Sequence, residues 1–344
     1  MPTFSKNQLT RLSIEIFKTV GASQEEAITV TDILVDTSLH GIDSHGVRAI
    51  PGYIKEIQEG RLKPGDAITV LRESPTTAMW NVHDGFGFVA AKKAMEAAIE
   101  KAENQKIGSV GITGTGHIGA LYYYSLMATR KDMIGITLCS DGSNQVAPYG
   151  GTKRALSINP FAVAIPTEKE NVIFLDASTT TAAYGHMKVM QARNQEIPDG
   201  WLIREDGTWA HNISEVDEGK AAMVPFDAHK GYGLVVLIEA LCGGISVGCG
   251  AEMKGYQNHL FTAIDVEGYC PAELFKSRVD SLARQLRSSP ARPGFKEVLV
   301  PGEPEHRTAE NRMKEGIIVD ELFWKDMVET AQSLQLDVNS ILKD

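Results

Sequence analysis

The chain has 344 residues, of which 43% are hydrophobic and 23% are charged. This length and composition predict about two folded domains with a sizeable core, and they argue against a disordered chain. The formal net charge of −10 argues against a general nucleic-acid surface, because phosphate binding requires clustered Lys and Arg.

The N-terminal part of the chain is predicted to form three helices. Ser5 with Gln8, and Ser23 with Glu26, match the capping box that begins a helix. Apolar residues follow each box at helical spacing, and a third helix is predicted over 47–59. Each helix is expected to end at a glycine: Gly21, Gly41 or Gly60.

Short apolar segments alternate with helical segments after Pro64-Gly65. Strands are predicted at 67–71, 77–82, 107–113, 134–139, 161–165, 172–175 and 260–265. Helices are predicted at 89–104, 121–130, 181–193, 231–245, 272–286 and through most of 304–341. This pattern predicts an α/β (α+β) fold. We expect a helical domain of residues 1–65 with about 303–344, and an α/β domain of residues 66–302.

Several kinds of site and partner are not indicated by the sequence. No apolar run reaches the roughly 18 residues that suggest a membrane span, and Met1–Gln8 lacks the apolar stretch of a secretion signal. The four cysteines show no paired spacing, and the nine histidines show no metal-site spacing. We therefore expect a cytoplasmic protein without a metal, and without a membrane or nucleic-acid partner.

The segment Asp43–Arg48 combines an acid, a hydroxyl, an imidazole, a glycine and a guanidinium. A histidine such as His45 can pass a proton near neutral pH, and the Ser44 hydroxyl can fix its tautomer. An arginine such as Arg48 can grip a carboxylate with two hydrogen bonds. The alternative is a polar turn in which Asp43 or Ser44 caps a helix. The motif alone leaves both interpretations open.

Gly114–Gly119 matches the dinucleotide fingerprint G-x-G-x-x-G between a predicted strand and a predicted helix. Asp141 follows at the distance expected of a ribose-binding acid. This pattern alone predicts a Rossmann domain, although His117 inside it suggests acid–base chemistry. Lys230, at the start of another predicted helix, could bind a phosphate or carboxylate there, or lie in an ordinary turn.

In this order the motifs resemble the malate/L-lactate dehydrogenase family, also called the type 2 or sulfolactate-dehydrogenase-like family. That family includes malate, lactate, sulfolactate and ureidoglycolate dehydrogenases and reductases of cyclic imino acids. The resemblance implies a non-Rossmann, mixed-sheet NAD(P)-binding domain, in which the Gly114–Gly119 loop still meets the cofactor. The matching stretches and residues are His40–Gly41, Asp43–Arg48, Pro51, Tyr53, Gly116–Gly119, Val146–Gly151, Asn159–Ala162, Asp176–Ser178, Lys230–Leu234, Pro301–Glu303, Arg307 and Asn311–Arg312.

The resemblance also implies roles for individual residues. It gives Ser44 and His45 as a proton relay and proton donor, or His117 as the acid–base histidine, and it leaves that choice open. The expected substrate contacts are Arg48, Asn159, Tyr184 and Gly185. The expected cofactor contacts are His117, Ile118, Gly119, Ala120, Leu121, Ser140, Asp176, Ala177, Ser178, His229, Lys230, Gly302, Glu303, Pro304 and Arg307.

The implied function is hydride transfer between a nicotinamide cofactor and a small 2-hydroxy or 2-oxo carboxylate. NAD is favoured and NADP is possible, because no Arg or Lys closely flanks Asp176–Ser178 to bind a 2′-phosphate. The resemblance implies a homodimer with its active site near the subunit interface. The alternatives are a reductase of piperideine- or pyrroline-2-carboxylate, and a catalytically silent binding protein. Tyr184-Gly185-His186 departs from the family patterns at the substrate position, which leaves the substrate open.

Overall fold

The structure, a computed structural model, describes residues 1–65, 67–246, 248–249 and 257–343. Its strands, in chain order, are β1 (Thr3–Phe4), β2 (Thr69–Glu73), β3 (Thr77–Asn81), β4 (Ile107–Thr115), β5 (Met133–Ser140), β6 (Phe161–Ile165), β7 (Ile173–Ala177), β8 (Leu202–Arg204), β9 (Ala221–Met223), β10 (Gln257–Asp265) and β11 (Ile317–Ile318). Its α-helices are α1 (Lys6–Thr19), α2 (Gln24–Leu39), α3 (Ile50–Gln58), α4 (Gly87–Gln105), α5 (Tyr122–Thr129), α6 (Tyr184–Ala192), α7 (Ser214–Asp217), α8 (His229–Cys242), α9 (Ala272–Arg287), α10 (Glu303–Glu315), α11 (Glu321–Ser333) and α12 (Val338–Leu342).

The central sheet has seven strands in the described part of the chain, in the order β2-β3-β4-β10-β5-β6-β7. Among them only β3 and β4 pair in parallel, and the other neighbours are antiparallel. A Rossmann domain has a mostly parallel sheet instead. The Rossmann interpretation of Gly114–Gly119 is therefore wrong, and the non-Rossmann mixed sheet is confirmed. A strand and a helix do flank that loop, but β4 has the antiparallel β10 as a neighbour.

The N-terminal helices begin as the sequence predicts. Ser5 and Gln8 form both hydrogen bonds of a capping box at the start of α1, and Ser23 and Glu26 do the same for α2. The third predicted helix begins later than expected. Two 3₁₀ turns, Asp43–His45 and Val47–Ala49, come before α3.

Helices pack on the sheet through positions where a side chain would not fit. A Cβ atom at Gly135 of β5 would lie 2.1 Å from the carbonyl oxygen of Ser125 in α5. A Cβ atom at Gly108 of β4 would lie 2.0 Å from the carbonyl oxygen of Ala98 in α4. Glycine therefore allows the backbones of helix and strand to approach each other directly.

The two ends of the chain lie together. β1 pairs with β11, and α1 packs against α12. The Gln8 side chain also donates a hydrogen bond to the Leu342 carbonyl. One hydrophobic core contains apolar residues of the terminal helices and of the sheet. The division into two domains at residues 65 and 303 remains a prediction.

Residues 146–223 contain a smaller unit that the sequence does not reveal. The short strands β8 and β9 pair there, and α7 lies between them in the chain. A second buried cluster, which includes Leu202, Val216 and Met223, packs around them. Three-residue strands carry too little alternation to be predicted. Among the described residues, no helix combines the length and apolar character needed to cross a membrane.

Candidate active site

The junction between α2 and α3 carries the polar residues of the Asp43–Arg48 motif. Gly46 lies so close to α2 that a Cβ atom there would meet the Ser38 Oγ at 2.1 Å. The Ser38 hydroxyl also accepts a hydrogen bond from the Val47 backbone N–H, at 3.0 Å. Only glycine allows this close approach, which fixes the two 3₁₀ turns against the end of α2.

Arg312 of α10 holds this turn from the other end of the chain. Its Nη1 and Nη2 donate to the two carboxylate oxygens of Asp43, at 2.6 and 3.0 Å. The same guanidinium also donates to the Ser38 carbonyl. A two-point guanidinium–carboxylate contact fixes orientation as well as distance. Asp43 therefore orients the turn and is not free to act as a base.

His45 lies next to His117 in the folded chain. The two imidazole rings are 5.3 Å apart, centre to centre, and tilted by 34°. The Ser44 Oγ is 2.8 Å from the His45 Nδ1, within hydrogen-bond distance, and the relay role of this pair stays a prediction. Two histidines separated in sequence thus form one potential acid–base site.

His117 lies in the loop between β4 and α5. Its Nδ1 is 2.5 Å from the Tyr53 hydroxyl, and the Gly119 backbone N–H donates to the same nitrogen at 3.3 Å. Gly119 has φ +76°, and a Cβ atom there would meet the Phe88 ring at 2.8 Å. The loop conformation that brings the Gly119 N–H to His117 therefore requires a glycine.

The histidines of this region have lowered pKa values. Burial lowers the pKa of His117 to about 3, with further contributions from His45 and His259. Burial also lowers the pKa of His45, and the positive charge of Arg48 adds to that effect. The pKa of His259, on β10, falls to about 3 through burial. An imidazole with a pKa below neutrality is available as a hydrogen-bond donor or as a base.

A cleft of about 840 Å³ opens beside the turn. Residues of the turn, of α6 and of the segment from Ile317 to Phe323 line it. Arg48 is one of these residues, and its guanidinium lies 4.0 Å over the ring of Phe323. A cationic side chain held on an apolar wall can bind a small carboxylate in such a cleft.

Two predicted substrate residues lie at the start of α6. A Cβ atom at Gly185 would be 3.0 Å from the Ser44 Cβ, so Gly185 allows the helix to approach the turn that carries Ser44. The Tyr184 hydroxyl donates to an Asp217 oxygen at 2.7 Å, which occupies its donor. His186, at the position where the family patterns differ, lines the cleft.

Several predicted cofactor residues lie at one end of the sheet. The register pairs Thr115, just before the His117 loop, with Gln257, and Ser140 with the adjacent Asn258. The start of β6 and the end of β7 lie at the same end, because Phe161 pairs with both Leu138 and Ala177. Antiparallel pairing therefore gathers residues at or just beyond the ends of β4, β5 and β7, and just before β6: His117, Ser140, Asn159, Asp176, Ala177 and Ser178.

Asn159 and Ser140 share a buried carboxylate at this end. The Asn159 Nδ2 and the Ser140 Oγ both donate to the Glu239 Oε2, at 2.7 and 2.9 Å. The Asn159 amide nitrogen also donates to the Val235 carbonyl at 3.0 Å. Only the Oδ1 of Asn159, which has no hydrogen-bond partner among the described residues, remains able to accept a hydrogen bond from a ligand.

The residues at this end fit a nicotinamide dinucleotide. Such a ligand needs hydrogen-bonding groups and backbone that it can approach closely. Within the described residues, Asn144 Oδ1 and Asn159 Oδ1 are buried without partners, and they can accept from an amide or hydroxyl. Gly116 borders open space, since a Cβ atom there would meet nothing within 4 Å.

The side chains of the loop after His117 are mostly buried. Ile118, Ala120 and Leu121 are each less than 5% exposed, so a ligand can meet their backbone only. The Tyr122 N–H, just beyond this loop, donates to the Asp176 carboxylate at 2.9 Å. Burial raises the pKa of Asp176 to about 6, against the lowering effect of these backbone hydrogen bonds.

The other predicted cofactor residues lie at the start of α8 and around the start of α10. His229 and Lys230 are exposed at the start of α8, where Lys230 pairs with Asp227 at 3.1 Å. Gly302 packs on Phe174, towards the start of β7. The segment that follows Gly302 begins α10 with Glu303 and Pro304, and Arg307 pairs with Glu303 and Glu297.

Two residues near the histidine pair are absent from the predicted site. Tyr53 stands among the apolar residues of a predicted helix, and its partner His117 is 64 residues away. His259 lies near the start of β10, next to Gln257 and Asn258, and it is buried beside the Gly116 backbone. Tyr53 belongs to the residues that match the family, and His259 directly precedes a predicted strand, but neither position alone indicates a contact with His117.

Comparisons with known proteins cover nearly the whole chain. The sequence profile described as malate/L-lactate dehydrogenase matches residues 4–328. The L-sulfolactate dehydrogenase of Methanocaldococcus jannaschii is 35% identical over 97% of each chain. A solved sulfolactate dehydrogenase from that organism superposes with a TM-score of 0.91 at 32% identity, over 99% of this chain and 100% of the other.

Two further relatives extend the comparison. The malate dehydrogenase of Pyrococcus abyssi is 34% identical over 92% of each chain. The NAD(+) ureidoglycolate dehydrogenase of Escherichia coli strain K12 is 31% identical over 88% of each chain.

The buried histidines predict that the folded state loses stability in mild acid. In the unfolded chain, these histidines become protonated below their ordinary pKa of 6.5. In the folded chain, His117 and His259 stay neutral down to about pH 3. Each histidine should therefore lower the free energy of unfolding by about 1.4 kcal/mol per pH unit over that range. His259→Leu should remove the contribution of one histidine to this pH dependence. If the His259→Leu variant does not fold, His259→Gln serves the same purpose.

Urea unfolding at about pH 7, 6 and 5 measures this effect. The measured slope is the change in the free energy of unfolding with pH. Because both proteins have the same carboxylates, the difference in this slope between wild type and variant reports the effect of His259. Equal slopes for the two proteins would contradict the prediction.

Proposed function

Because the chain belongs to the malate/L-lactate dehydrogenase family, we propose that it interconverts a small 2-hydroxy acid and the matching 2-oxo acid, with NAD as the cofactor. Its class follows from the family: it is a nicotinamide-dependent oxidoreductase of hydroxy acids. The observation that carries the proposal for its site is the contact between the Ser44–His45 pair and His117.

The chemistry of this site centres on one substrate oxygen. The bound nicotinamide supplies or accepts the hydride. The substrate oxygen must gain a proton in the reduction and lose one in the oxidation. His45 and His117 supply two imidazoles for this task, and Ser44 holds the Nδ1 of His45. Water access is restricted, because both rings are largely buried.

Arg48 is the proposed partner of the substrate carboxylate. It lines the same cleft as Ser44 and Gly185, and it remains positively charged although burial lowers its pKa. Lys230 is the other cationic residue that the sequence analysis offers for binding a carboxylate. It is exposed and paired with Asp227. The cleft around Arg48 therefore suits a small 2-hydroxy carboxylate better than the start of α8 does.

The preference for NAD over NADP is part of the proposal. No Arg or Lys closely flanks Asp176–Ser178 in sequence, and a 2′-phosphate usually requires one. The E. coli relative also carries NAD(+) in its name. We further propose a cytoplasmic location, which is supported by the absence of paired spacing among the four cysteines of the sequence.

We propose that the protein forms a homodimer and that the exposed surface of α8 is the interface. This helix is apolar on several sides, yet Val236, Leu237 and Leu241 are 39%, 61% and 46% exposed. Helices that are apolar all round are normally buried. The edge strand β2 is exposed along its whole length, which leaves a second surface for pairing. A second copy of the chain is the proposed occupant of the α8 surface.

The first test is a substrate panel. Malate, lactate and sulfolactate with their 2-oxo acids, and the cyclic imines piperideine- and pyrroline-2-carboxylate, are assayed with NAD(H) and NADP(H). We expect hydroxy and oxo acids to react, and NAD(H) to give the higher kcat/KM. Reaction of the imines alone would replace the proposal with an imino-acid reductase. Failure to bind either cofactor by fluorescence titration would favour a silent binding protein.

The second test concerns the histidines. His45→Ala and His117→Ala should each slow single-turnover hydride transfer, by roughly 10²–10⁴-fold for the one that moves the proton. Cofactor affinity, measured by fluorescence, serves as the control for a folded site. If neither variant slows hydride transfer, the assignment of this pair to catalysis is incorrect.

The third test concerns the dimer. Leu237→Glu combined with Leu241→Glu places two charges on the exposed surface of α8 and should convert the dimer into a monomer. Light scattering after size exclusion measures the mass. Leu274→Glu on α9, where the leucine is 43% exposed, is a matched control that should remain dimeric. A monomeric wild-type protein, or a double variant that remains dimeric, would contradict the proposal.

A further inference from the structure

Tyr53 is the one hydroxyl group bonded to His117 in the described residues. It lies on α3, is 6% exposed, and its ring packs edge-on against Phe88 at 5.2 Å. Its hydroxyl is 2.5 Å from the Nδ1 of His117, and the two rings are nearly parallel, 20° apart. The catalytic turn and Tyr53 thus reach His117 from adjacent parts of the chain.

The partners of Nδ1 determine where the proton of His117 is. The Gly119 backbone N–H can only donate, and it points at the same nitrogen at 3.3 Å. An Nδ1 that carried a proton would oppose this donor, so Nδ1 must be the acceptor. Burial, with a contribution from Glu56, raises the pKa of Tyr53, so its phenol keeps its proton. A phenol can donate or accept, and it donates to Nδ1 here because the Gly119 N–H already makes that nitrogen an acceptor. The proton of neutral His117 is therefore on Nε2.

His45 has a different kind of partner. The Ser44 hydroxyl, 2.8 Å from its Nδ1, can either donate or accept. His45 can therefore change between its neutral and protonated forms without losing this hydrogen bond. His117 resists a second proton, because a protonated Nδ1 would face the Gly119 N–H, which cannot accept, and would lose the hydrogen bond that the Tyr53 phenol donates. One histidine can change its protonation state and the other is fixed.

We propose that Tyr53 is a positioning residue that fixes His117 as its Nε2–H tautomer, so that His117 donates a hydrogen bond to the substrate oxygen while His45 transfers the proton. The catalytic part of this inference rests on the proposed function. The tautomer itself is a property of the protein without substrate. The inference separates two roles that the family resemblance leaves open.

His45 alone can supply the one proton that the reduction requires. In the reduction, the carbonyl carbon gains the hydride and the C=O π pair moves to the oxygen. That oxygen forms an O–H bond as the Nε2–H bond of protonated His45 breaks. His45 is left neutral and regains a proton from water, and His117 retains its Nε2 proton throughout. The oxo acid is reduced and the nicotinamide cofactor is oxidised.

Among the described residues, the titratable groups that act on the charge of His117 are His45 and His259, which both become positive on protonation. Tyr53 faces it from α3, His45 from the 3₁₀ turn and His259 from β10, while Gly119 lies in its own loop. Within the described residues, these neighbours are neutral groups or groups that become positive. A neutral donor is therefore the form of His117 that this environment stabilises, and its tautomer is decided by Tyr53 and Gly119.

Nitrogen-15 NMR of the histidine-labelled protein, without substrate, tests the tautomer. The signals that disappear in His117→Gln identify the residue. We expect Nδ1 to resonate as an unprotonated nitrogen and Nε2 as a protonated one from about pH 5 to 8. In Tyr53→Phe the signals should move towards a mixture of tautomers. Tyr124→Phe, which removes a buried phenol bonded to the Ile118 carbonyl of the same loop, should leave the His117 tautomer unchanged.

Single-turnover kinetics test the catalytic consequence. Tyr53→Phe should slow hydride transfer about tenfold, with unchanged cofactor affinity, because one oriented hydrogen bond is lost. In a His117→Gln background the same substitution should have no further effect, since Tyr53 acts only through His117. Additive losses in the double variant, or a wild-type His117 protonated on Nδ1, would overturn the inference. If no hydroxy or oxo acid reacts but the NMR result is as expected, the proposed function fails and the tautomer assignment stands.

Discussion

A two-point contact between Arg312 and Asp43 joins the ends of the chain at the turn that carries Ser44 and His45. The turn has little regular structure of its own, only two 3₁₀ turns of three residues each. Its orientation therefore depends on neighbours: the guanidinium of α10, the close approach of Gly46 to Ser38, and Gly185 of α6. Lysine cannot replace this arginine fork, because an ammonium group lacks two parallel donors.

The mixed sheet brings the remaining polar groups to this turn. In a parallel sheet, a crossover helix usually connects consecutive strands, so that the ends of these strands lie at the same edge of the sheet. Here β10 is antiparallel to both β4 and β5, so the start of one strand meets the ends of two others. This arrangement places the His117 loop and Ser140 on opposite sides of β10. A loop that resembles a Rossmann fingerprint can therefore serve a sheet of unrelated topology.

Local features of the sequence predict local structure well. The capping boxes at Ser5 and Ser23 involve residues three apart, so their partners can be identified from the chain alone. The pairing of Tyr53 with His117 cannot be identified in this way, because α3 and the β4–α5 loop meet only after folding. The Rossmann interpretation failed for the same reason. The fingerprint describes one turn, whereas strand order depends on contacts between distant segments.

The lowered pKa of His45 links substrate recognition to proton transfer. Burial lowers this pKa first, and the positive charge of Arg48 lowers it further. If Arg48 holds the substrate carboxylate as proposed, the bound negative charge offsets that positive charge. Binding would then raise the pKa of His45 and stabilise its protonated form, whereas His117, with Nδ1 facing Tyr53 and Gly119, would remain a neutral donor. The same carboxylate that identifies a 2-oxo acid would thereby prepare the proton needed for its reduction, and a substrate without a carboxylate would leave His45 neutral.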